Sequence, residues 1–196
     1  MNDTSKPHAL LLVYKELGPG DLLKLQALSN VTQSGGGARD LRLPWRTFRP
    51  VMERIFTHTR AGRGGKPIRV AKVTYKNDGG KLGETELEYW YPTEARPAED
   101  RVARVHASPA LGGRLPRDDK GRVFVLFIKW SDGDVRCYYA YEDDLRKPSV
   151  WGPEVRDAIL GCVDDTDFKN ASREGNKLSV QGYYDFTDGT KFCHAE

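Results

Sequence analysis

The chain has 196 residues, of which 38% are hydrophobic and 30% are charged, and its formal net charge at pH 7 is +3. This length suits one domain with a sizeable core, and the composition is that of an ordinary globular protein. No stretch approaches the roughly 18 apolar residues that a membrane helix needs, and residues 1–8 lack the basic start of a signal peptide. We therefore expect a cytoplasmic protein with no membrane partner.

Charge is distributed unevenly along the chain. Residues 39–76 contain eleven Lys and Arg against two acidic residues, Asp40 and Glu53. Residues 140–196 contain seven Lys and Arg against twelve Asp and Glu. The first stretch suits a polyanion, whereas the second suits solvent or a different partner.

The three cysteines, Cys137, Cys162 and Cys193, are widely spaced, and the sequence has no CxxC pair. This pattern favours neither a zinc site nor a disulfide framework. We expect small buried thiols, and we expect no metal and no other cofactor.

The first elements in chain order are two predicted strands separated by a polar arm. Residues 6–16 suit a short helix or a strand that ends at a Gly-Pro-Gly break. Residues 21–29 predict the first firm strand, because LQALS alternates between apolar and polar positions. In residues 30–37, polar side chains precede three glycines that allow the backbone to approach another surface closely. Alternation returns in residues 38–44, ARDLRLP, which predict a second strand.

A short basic helix and a basic loop are predicted next. Pro44 precedes WRTF and Pro50 precedes VMERIF. Proline suits a first helical turn and breaks an interior one, so we expect the helix to form in two steps. Residues 57–67, THTRAGRGGKP, predict a flexible basic loop that could lie along phosphates.

The rest of the chain predicts three hairpins, a long loop and a helix. Good alternation and turn residues indicate strands at 68–75 with 84–91, at 123–130 with 134–141, and at 178–184 with 190–194. The nearly continuous apolar run VFVLFI, residues 123–128, predicts a central strand covered on both faces. Residues 93–121 predict a long functional or disordered loop, and residues 150–160 predict a helix that starts near Pro153.

Predicted strands outnumber predicted helices about three to one, and the sequence contains no internal repeat or low-complexity linker. These features predict one mainly β (α+β) domain over residues 1–196, a barrel with two or three short helices. Its core would span about residues 20–145, and residues 146–196 would add a helix and a hairpin.

Two segments of the sequence resemble a known family. LSNVTQSGGGARDLRLP, residues 28–44, followed by a short helix that ends in ERIF, resembles a segment of the N-terminal effector-binding domain of EcoRII-type restriction endonucleases. EDRVARVHASP, residues 99–109, resembles the basic second arm of that family, and residues 123–141 resemble the hairpin that follows it. The resemblance covers about residues 20–145. It implies a B3-like DNA-binding pseudobarrel of about seven or eight strands.

Two arms on such a barrel suggest the residues that would contact DNA. In the major groove, Arg suits guanine and Asn or Gln suits adenine, while carboxylates accept from cytosine. The candidates for base contacts are, on the first arm and the strand after it, Asn30, Thr32, Gln33, Ser34, Gly36, Arg39 and Arg42, and on the second arm Glu99, Asp100, Arg101, Arg104 and His106. The candidates for phosphate contacts are Arg60, Arg63 and Lys66.

The sequence therefore predicts a non-catalytic module that reads a short site in double-stranded DNA. It would be the recognition part of a restriction or DNA-defence system, either alone or with a nuclease subunit or domain, and sensitivity to cytosine methylation stays open.

Two alternatives remain. One is a Mg²⁺-dependent nuclease that uses Glu154, Asp167 and Lys169. The other is a protein-interaction module that uses clustered aromatic residues, although at strand spacing such residues are more often packing residues.

Overall fold

The structure is a computed structural model that describes residues 6–26, 40–77, 79–92, 99–103, 105–111, 121–170 and 179–195. Within these ranges there are ten strands and four α-helices. The strands are β1 Ala9–Glu16, β2 Leu41–Pro44, β3 His58–Ala61, β4 Pro67–Lys76, β5 Leu82–Trp90, β6 Glu99–Ala103, β7 Val123–Trp130, β8 Val135–Tyr141, β9 Val180–Asp185 and β10 Lys191–Ala195. The helices are α1 Pro19–Gln26, α2 Trp45–Ile55, α3 Glu142–Leu145 and α4 Pro153–Asn170.

All ten strands belong to one curled sheet that forms a half-barrel. Its order is β10-β9-β1-β7-β8-β4-β5-β6-β2, and β3 pairs with β4 off this path. Neighbouring strands are antiparallel except β4 and β8, which meet in parallel at Val73 and Val135. The predicted mainly β class is confirmed, although seven or eight strands was too low a number.

The strand β7 lies inside the sheet, as its apolar run predicts. It pairs with β1 on one side and with β8 on the other. Val123, Val125 and Phe127 belong to the apolar cluster on one face, whereas Phe124, Leu126 and Ile128 belong to the cluster on the other face. Because successive side chains of a strand point to opposite faces, only a strand covered on both sides can be apolar throughout.

Helices pack against both faces of the sheet, chiefly α2 on one face and α4 on the other. The first cluster includes Phe48, Met52 and Ile55 of α2, and the second includes Val155 and Ile159 of α4. None of the helices in the described ranges is both long and apolar enough to cross a membrane.

Two of the predicted elements near the N-terminus are wrong in detail. The predicted strand at residues 21–29 begins inside α1, and its last three residues lie outside the described ranges. Pro19 at the helix start, Asp21 in the first turn and a run of Leu, Lys and Gln favour a helix. Pro50 does not divide α2, because burial of residues such as Phe48 and Met52 outweighs the hydrogen bond that the proline cannot donate.

Both predicted loops contain ordered strands. Residues 57–67 form β3 and a 3₁₀ turn, Arg63–Gly65, instead of a flexible loop. Residues 93–121 include β6, which pairs with both β2 and β5. The three predicted hairpins are present, and their turns contain Gly80, Gly133 and Gly189 with positive φ.

The C-terminal part belongs to the same sheet, because β9 pairs with β1 and β10 pairs with β9. The helix α4 is longer than predicted and reaches Asn170. Cys162 of α4 and Cys193 of β10 form a disulfide with a Cα–Cα distance of 5.6 Å, so the prediction of three free thiols was wrong for this pair. Cys137 is a buried free thiol, as predicted. Disulfides are rare in cytosolic proteins, so the cytoplasmic location stays a prediction.

Candidate nucleic-acid interface

The two predicted arms join the sheet at neighbouring positions. Leu41 of β2 is paired with Val102 of β6 in antiparallel register. The chain therefore enters β2, after the first arm, beside the point where it leaves β6. The prediction of residues 99–109 as an exposed loop is wrong, because Glu99–Ala103 form β6 and Val105 and Ser108 are buried. The predicted contacts Asn30, Thr32, Gln33, Ser34, Gly36, Arg39 and Arg104 lie outside the described residues. His106 lies in a 3₁₀ turn, Val105–Ala107, and its side chain is also not described.

Two predicted arginines lie side by side next to these junctions. Arg42 of β2 is paired with Arg101 of β6, and Arg101 is paired with Trp90 of β5. The neighbours of the two arginines along each strand face the core, so both arginines lie on the outer face of the sheet. The Arg101 guanidinium carbon is 5.5 Å from the centre of the Trp90 ring, a cation–π distance.

Carboxylates partly neutralise both arginines. Arg42 is 3.2 Å from Glu99, and Arg101 is 3.6 Å from Asp40. Among the described residues, the Arg42 Nε is buried without a hydrogen-bond partner. Glu99, Arg42 and Arg101 keep between 22% and 41% of their side-chain surface exposed. These three side chains therefore remain accessible at the base of the arms.

Asp100 is the main correction to the predicted site. It is fully buried and accepts two hydrogen bonds of 2.9 Å from the Arg49 guanidinium. The Tyr89 hydroxyl also donates to it. The hydrogen bond to Asp100 raises the pKa of Arg49, and burial, together with the hydrogen bond to Asp100, raises the pKa of Tyr89. Asp100 therefore fixes α2 to β5 and β6 and is not exposed to a base.

A second polar group continues this network. Arg69 donates to the Tyr91 hydroxyl at 2.6 Å, and that hydroxyl donates to Glu53 at 2.7 Å. Arg69 also lies 3.4 Å from Glu53, and the Arg49 guanidinium carbon lies 5.0 Å from the centre of the Tyr91 ring. From the sequence alone, Arg49 and Arg69 are recognised only as members of a basic stretch. Their pairing could not be predicted, because their acidic partners are distant along the chain or lie on another element.

The predicted phosphate contacts divide into two kinds. Arg60 is on β3 and forms ion pairs with Glu86 and Glu88 of β5, so its charge is already compensated. Lys66 is exposed, and its side chain has no partner among the residues that the structure describes. Arg63 begins the 3₁₀ turn, and its side chain is not described.

The fold offsets much of the local charge excess. At least six of the eleven basic residues between positions 39 and 76 form ion pairs, and most of their partners lie outside that stretch. These pairs are Arg42–Glu99, Arg49–Asp100, Arg54–Asp185, Arg60–Glu86, Arg69–Glu53 and Lys72–Glu84. A count along the sequence therefore overstates the attraction of this region for a polyanion.

The geometry does not suit the nuclease alternative. Glu154, Asp167 and Lys169 all belong to α4. A rise of 1.5 Å per residue separates Glu154 from Asp167 by about 20 Å, too far for the two to share one metal ion. In the described ranges, no group of three or more His, Cys, Asp or Glu is arranged to hold a metal.

The clustered aromatic residues mostly pack within the protein. Tyr89 is fully buried, and Tyr138 contacts Trp151 edge-on at 5.5 Å between ring centres. Tyr139 and Tyr141 are half-buried against the first apolar cluster. This packing agrees with the expectation for aromatic residues at strand spacing.

Comparison of the chain with models of known protein families and with the curated proteins finds no match in either case. The likeness of residues 28–44 and 99–109 to the EcoRII-type domain therefore stays an expectation from sequence. The same holds for the B3-like arrangement of the barrel.

Proposed function

We propose that this protein is a non-catalytic module that reads a short sequence in double-stranded DNA through two arms. The observation that carries the proposal is the pairing of β2 with β6, which joins both arms to the sheet at adjacent positions. The first arm and the exposed side chains of β6 start side by side on a rigid sheet, so they can approach one groove together. Base readout needs such fixed delivery of donors and acceptors.

The roles of the candidate residues follow from this arrangement. Asn30, Gln33, Arg39 and Arg104 carry the bidentate groups that distinguish bases. Arg42 and Arg101 lie at the base of the arms and orient them or contact the nearest phosphates. Lys66 supplies backbone contact from the β3–β4 loop. Asp100 and Arg60 are excluded from these roles, since their charged groups are held by protein partners.

The proposed biological setting is a restriction or DNA-defence system in the cytoplasm. There the chain would direct a nuclease subunit or domain, and its arms would respond to cytosine methylation if they contact the major-groove edge of cytosine. The alternative of a nuclease within this chain lacks a set of metal ligands that converge in the described structure.

The test is a selection from random-sequence duplexes with the full chain, repeated on enzymatically methylated DNA and with Mg²⁺ present. The proposal predicts enrichment of one short motif and intact DNA after incubation with Mg²⁺. Recovery of unenriched sequences would contradict sequence reading, and nicked DNA would contradict the absence of catalysis.

A further inference from the structure

The Cys162–Cys193 disulfide joins α4 to β10 beside a cavity of about 680 Å³. Both cysteines line the cavity, together with Tyr14, Tyr184 and Phe186. Its volume is within the range of small-molecule sites, so it gives a small thiol room to approach the bond. Within the described ranges, no residue of β10 belongs to the second apolar cluster, which holds α4 against the sheet. The covalent bond therefore takes the place of apolar packing between α4 and β10.

The two cysteines differ in accessibility. Cys193 is an exposed residue of β10, whereas Cys162 is buried on α4 with 5% of its surface exposed. The sulfur that an incoming thiolate attacks depends on access, and exposed disulfides are more readily reduced than buried ones. The Cys193 Sγ is therefore the point of attack, and Cys162 is the leaving group.

The strand β10 is held weakly apart from this bond. Among the described strands it pairs only with β9, at the edge of the sheet. Cys193 is opposite Gly182 of β9, which has no side chain to pack against it. In contrast, α4 places Val155, Ile159 and Val163 in the second apolar cluster. Loss of the disulfide would therefore loosen β10 and leave α4 in place.

The strand β10 also supports α2 on the other face of the sheet. The Phe192 ring stacks on Tyr183 of β9 with 5.9 Å between ring centres, and it meets the Phe48 ring of α2 edge-on at 6.1 Å. Phe48 is fully buried, and the next residue of α2, Arg49, binds Asp100 of β6. A displacement of Phe192 would therefore change how α2 packs beside the predicted DNA contacts.

From these observations we propose that the Cys162–Cys193 disulfide is a reversible redox switch that fixes or releases β10. The reductant is a dithiol, or two molecules of a monothiol such as glutathione, and the proposed cytoplasmic location supplies both classes. One thiolate attacks the Cys193 Sγ, the S–S bond breaks, and Cys162 leaves as a thiolate that takes up a proton. The second thiol then displaces Cys193 from the mixed disulfide. The protein gains two electrons and two protons, and the reductant becomes a disulfide.

The consequence of this switch for DNA binding rests on the proposed function. In the oxidised protein β10 is fixed, Phe192 supports α2, and α2 holds β6 beside the predicted contacts. Reduction weakens that support, so the reduced protein should bind the selected duplex less tightly. The release of β10 does not depend on DNA, so the switch and the proposed function can fail separately.

Reduction kinetics of the full chain test whether the bond is accessible in the folded protein. Reduction by dithiothreitol in native buffer is stopped with iodoacetamide and followed by mass spectrometry. We expect a rate that is proportional to the dithiothreitol concentration and unchanged by urea below the unfolding transition, because the thiolate reaches Cys193 directly. A rate that rises steeply with low urea would overturn the proposal, since reduction would then require unfolding.

Amide hydrogen exchange of the oxidised and the reduced full chain tests the release of β10. Reduction should speed exchange in β10 about ten-fold or more and leave the central strand β7 unchanged. Oxidised glutathione should restore the slow exchange. Cys137→Ser keeps the disulfide and should respond like wild type. Unchanged exchange in β10, equal acceleration in β10 and β7, or failure of oxidation to restore slow exchange would overturn the switch.

Anisotropy titrations with the selected duplex test the effect on DNA binding. The oxidised protein should bind about five-fold more tightly than the reduced protein, and Cys137→Ser should show the same ratio. Equal affinities in the two states would overturn the coupling to DNA. If no duplex is selected at all, the proposed function fails, and hydrogen exchange in β10 still decides the switch.

Discussion

The Asp100 carboxylate is fully buried, and groups from α2 and β5 hold it. Removal of one partner of a buried ion pair leaves the other charge without compensation. Arg49 keeps 29% of its side chain exposed, so water can offset part of that loss. We expect Asp100→Ala to lower the free energy of unfolding by about 3 kcal/mol in urea titrations.

Glu99→Ala is the matched control for this prediction. Glu99 is the adjacent residue in β6, and its pair with Arg42 is 41% exposed on the carboxylate side. Exposed pairs contribute about 0–1 kcal/mol, so this variant should be near wild type in stability. Equal losses in Asp100→Ala and Glu99→Ala would show that Asp100 has no special structural role.

Asp185 predicts a dependence of stability on pH. Burial alone would raise the pKa of this carboxyl, but hydrogen bonds from Arg54 and Thr187 outweigh burial and lower its pKa. The stabilisation is therefore complete above the unfolded value of about 4 and is lost as the pH falls below it towards the folded value. At pH 7, Asp185→Asn should cost about 1–3 kcal/mol.

Urea unfolding of wild type and Asp185→Asn at a series of pH values from 7 to 2.5 measures this effect. The difference in unfolding free energy between the two proteins should shrink as the pH falls below about 4. A difference that stays constant over the whole series would mean that the ionised form of Asp185 is not preferentially stabilised.

At the scale of elements, α2 is held at its middle and near its C-terminal end. Arg49 binds Asp100 of β6, and Arg54 binds Asp185 of β9. The helix therefore connects two distant strands of the half-barrel. The strand β6 pairs with β2, which follows the first arm, so α2 also fixes the part of the sheet next to the predicted DNA contacts.

The disulfide connects α4 to the edge strand β10 across a sequence separation of 31 residues. A closed loop of that length stabilises a fold by about 2–4 kcal/mol, chiefly through the unfolded state. We expect Cys162→Ser combined with Cys193→Ser to lower the unfolding free energy by this amount. The control is Cys137→Ser, which replaces the free thiol and keeps the disulfide.

A reducing agent should lower the unfolding free energy of Cys137→Ser, because its disulfide can still be broken, and should leave that of the double variant unchanged. If the reducing agent changes the unfolding free energy of both variants equally, Cys162 and Cys193 do not form a disulfide.

Elements with local signals could be predicted from the sequence, whereas elements that depend on distant partners could not. The run VFVLFI and the turns around Gly80, Gly133 and Gly189 identified their strands, because alternation and positive φ are local properties. The strand β6 was missed because Asp100 occupies a core-facing position, and a buried carboxylate looks polar until Arg49 is known to lie beside it.

At the scale of the whole molecule, the basic stretch at residues 39–76 could be interpreted only once the fold showed which of its residues form ion pairs. Arg60 was predicted to bind phosphate, yet Glu86 and Glu88 hold it. The two carboxylates lie on β5, 26 and 28 positions further along the chain, so no local pattern could reveal these pairs. The antiparallel register of β2 and β6 places the start of one strand beside the end of the other, and no sequence pattern indicated this pairing.

The phosphate role of the β3–β4 loop is tested by Arg63→Ala combined with Lys66→Ala. If both side chains contact the backbone, this variant should weaken binding to all duplexes alike. The slope of log K against log salt should flatten by about 0.9 for each lost contact. Anisotropy titrations with a labelled random duplex across a salt series measure the slope, and an unchanged slope would remove the loop from the interface.

The central claim is that the arms read bases, and Arg104→Ala compared with Arg60→Ala tests it most directly, since each removes one positive charge. On the selected duplex, Arg104→Ala and Gln33→Ala should each lose about 1–3 kcal/mol of binding free energy, with a much smaller loss on random duplex. Arg60→Ala should lose little on either duplex, because Glu86 and Glu88 already hold Arg60. Equal losses on selected and random DNA in Arg104→Ala and Gln33→Ala would contradict base reading by the arms.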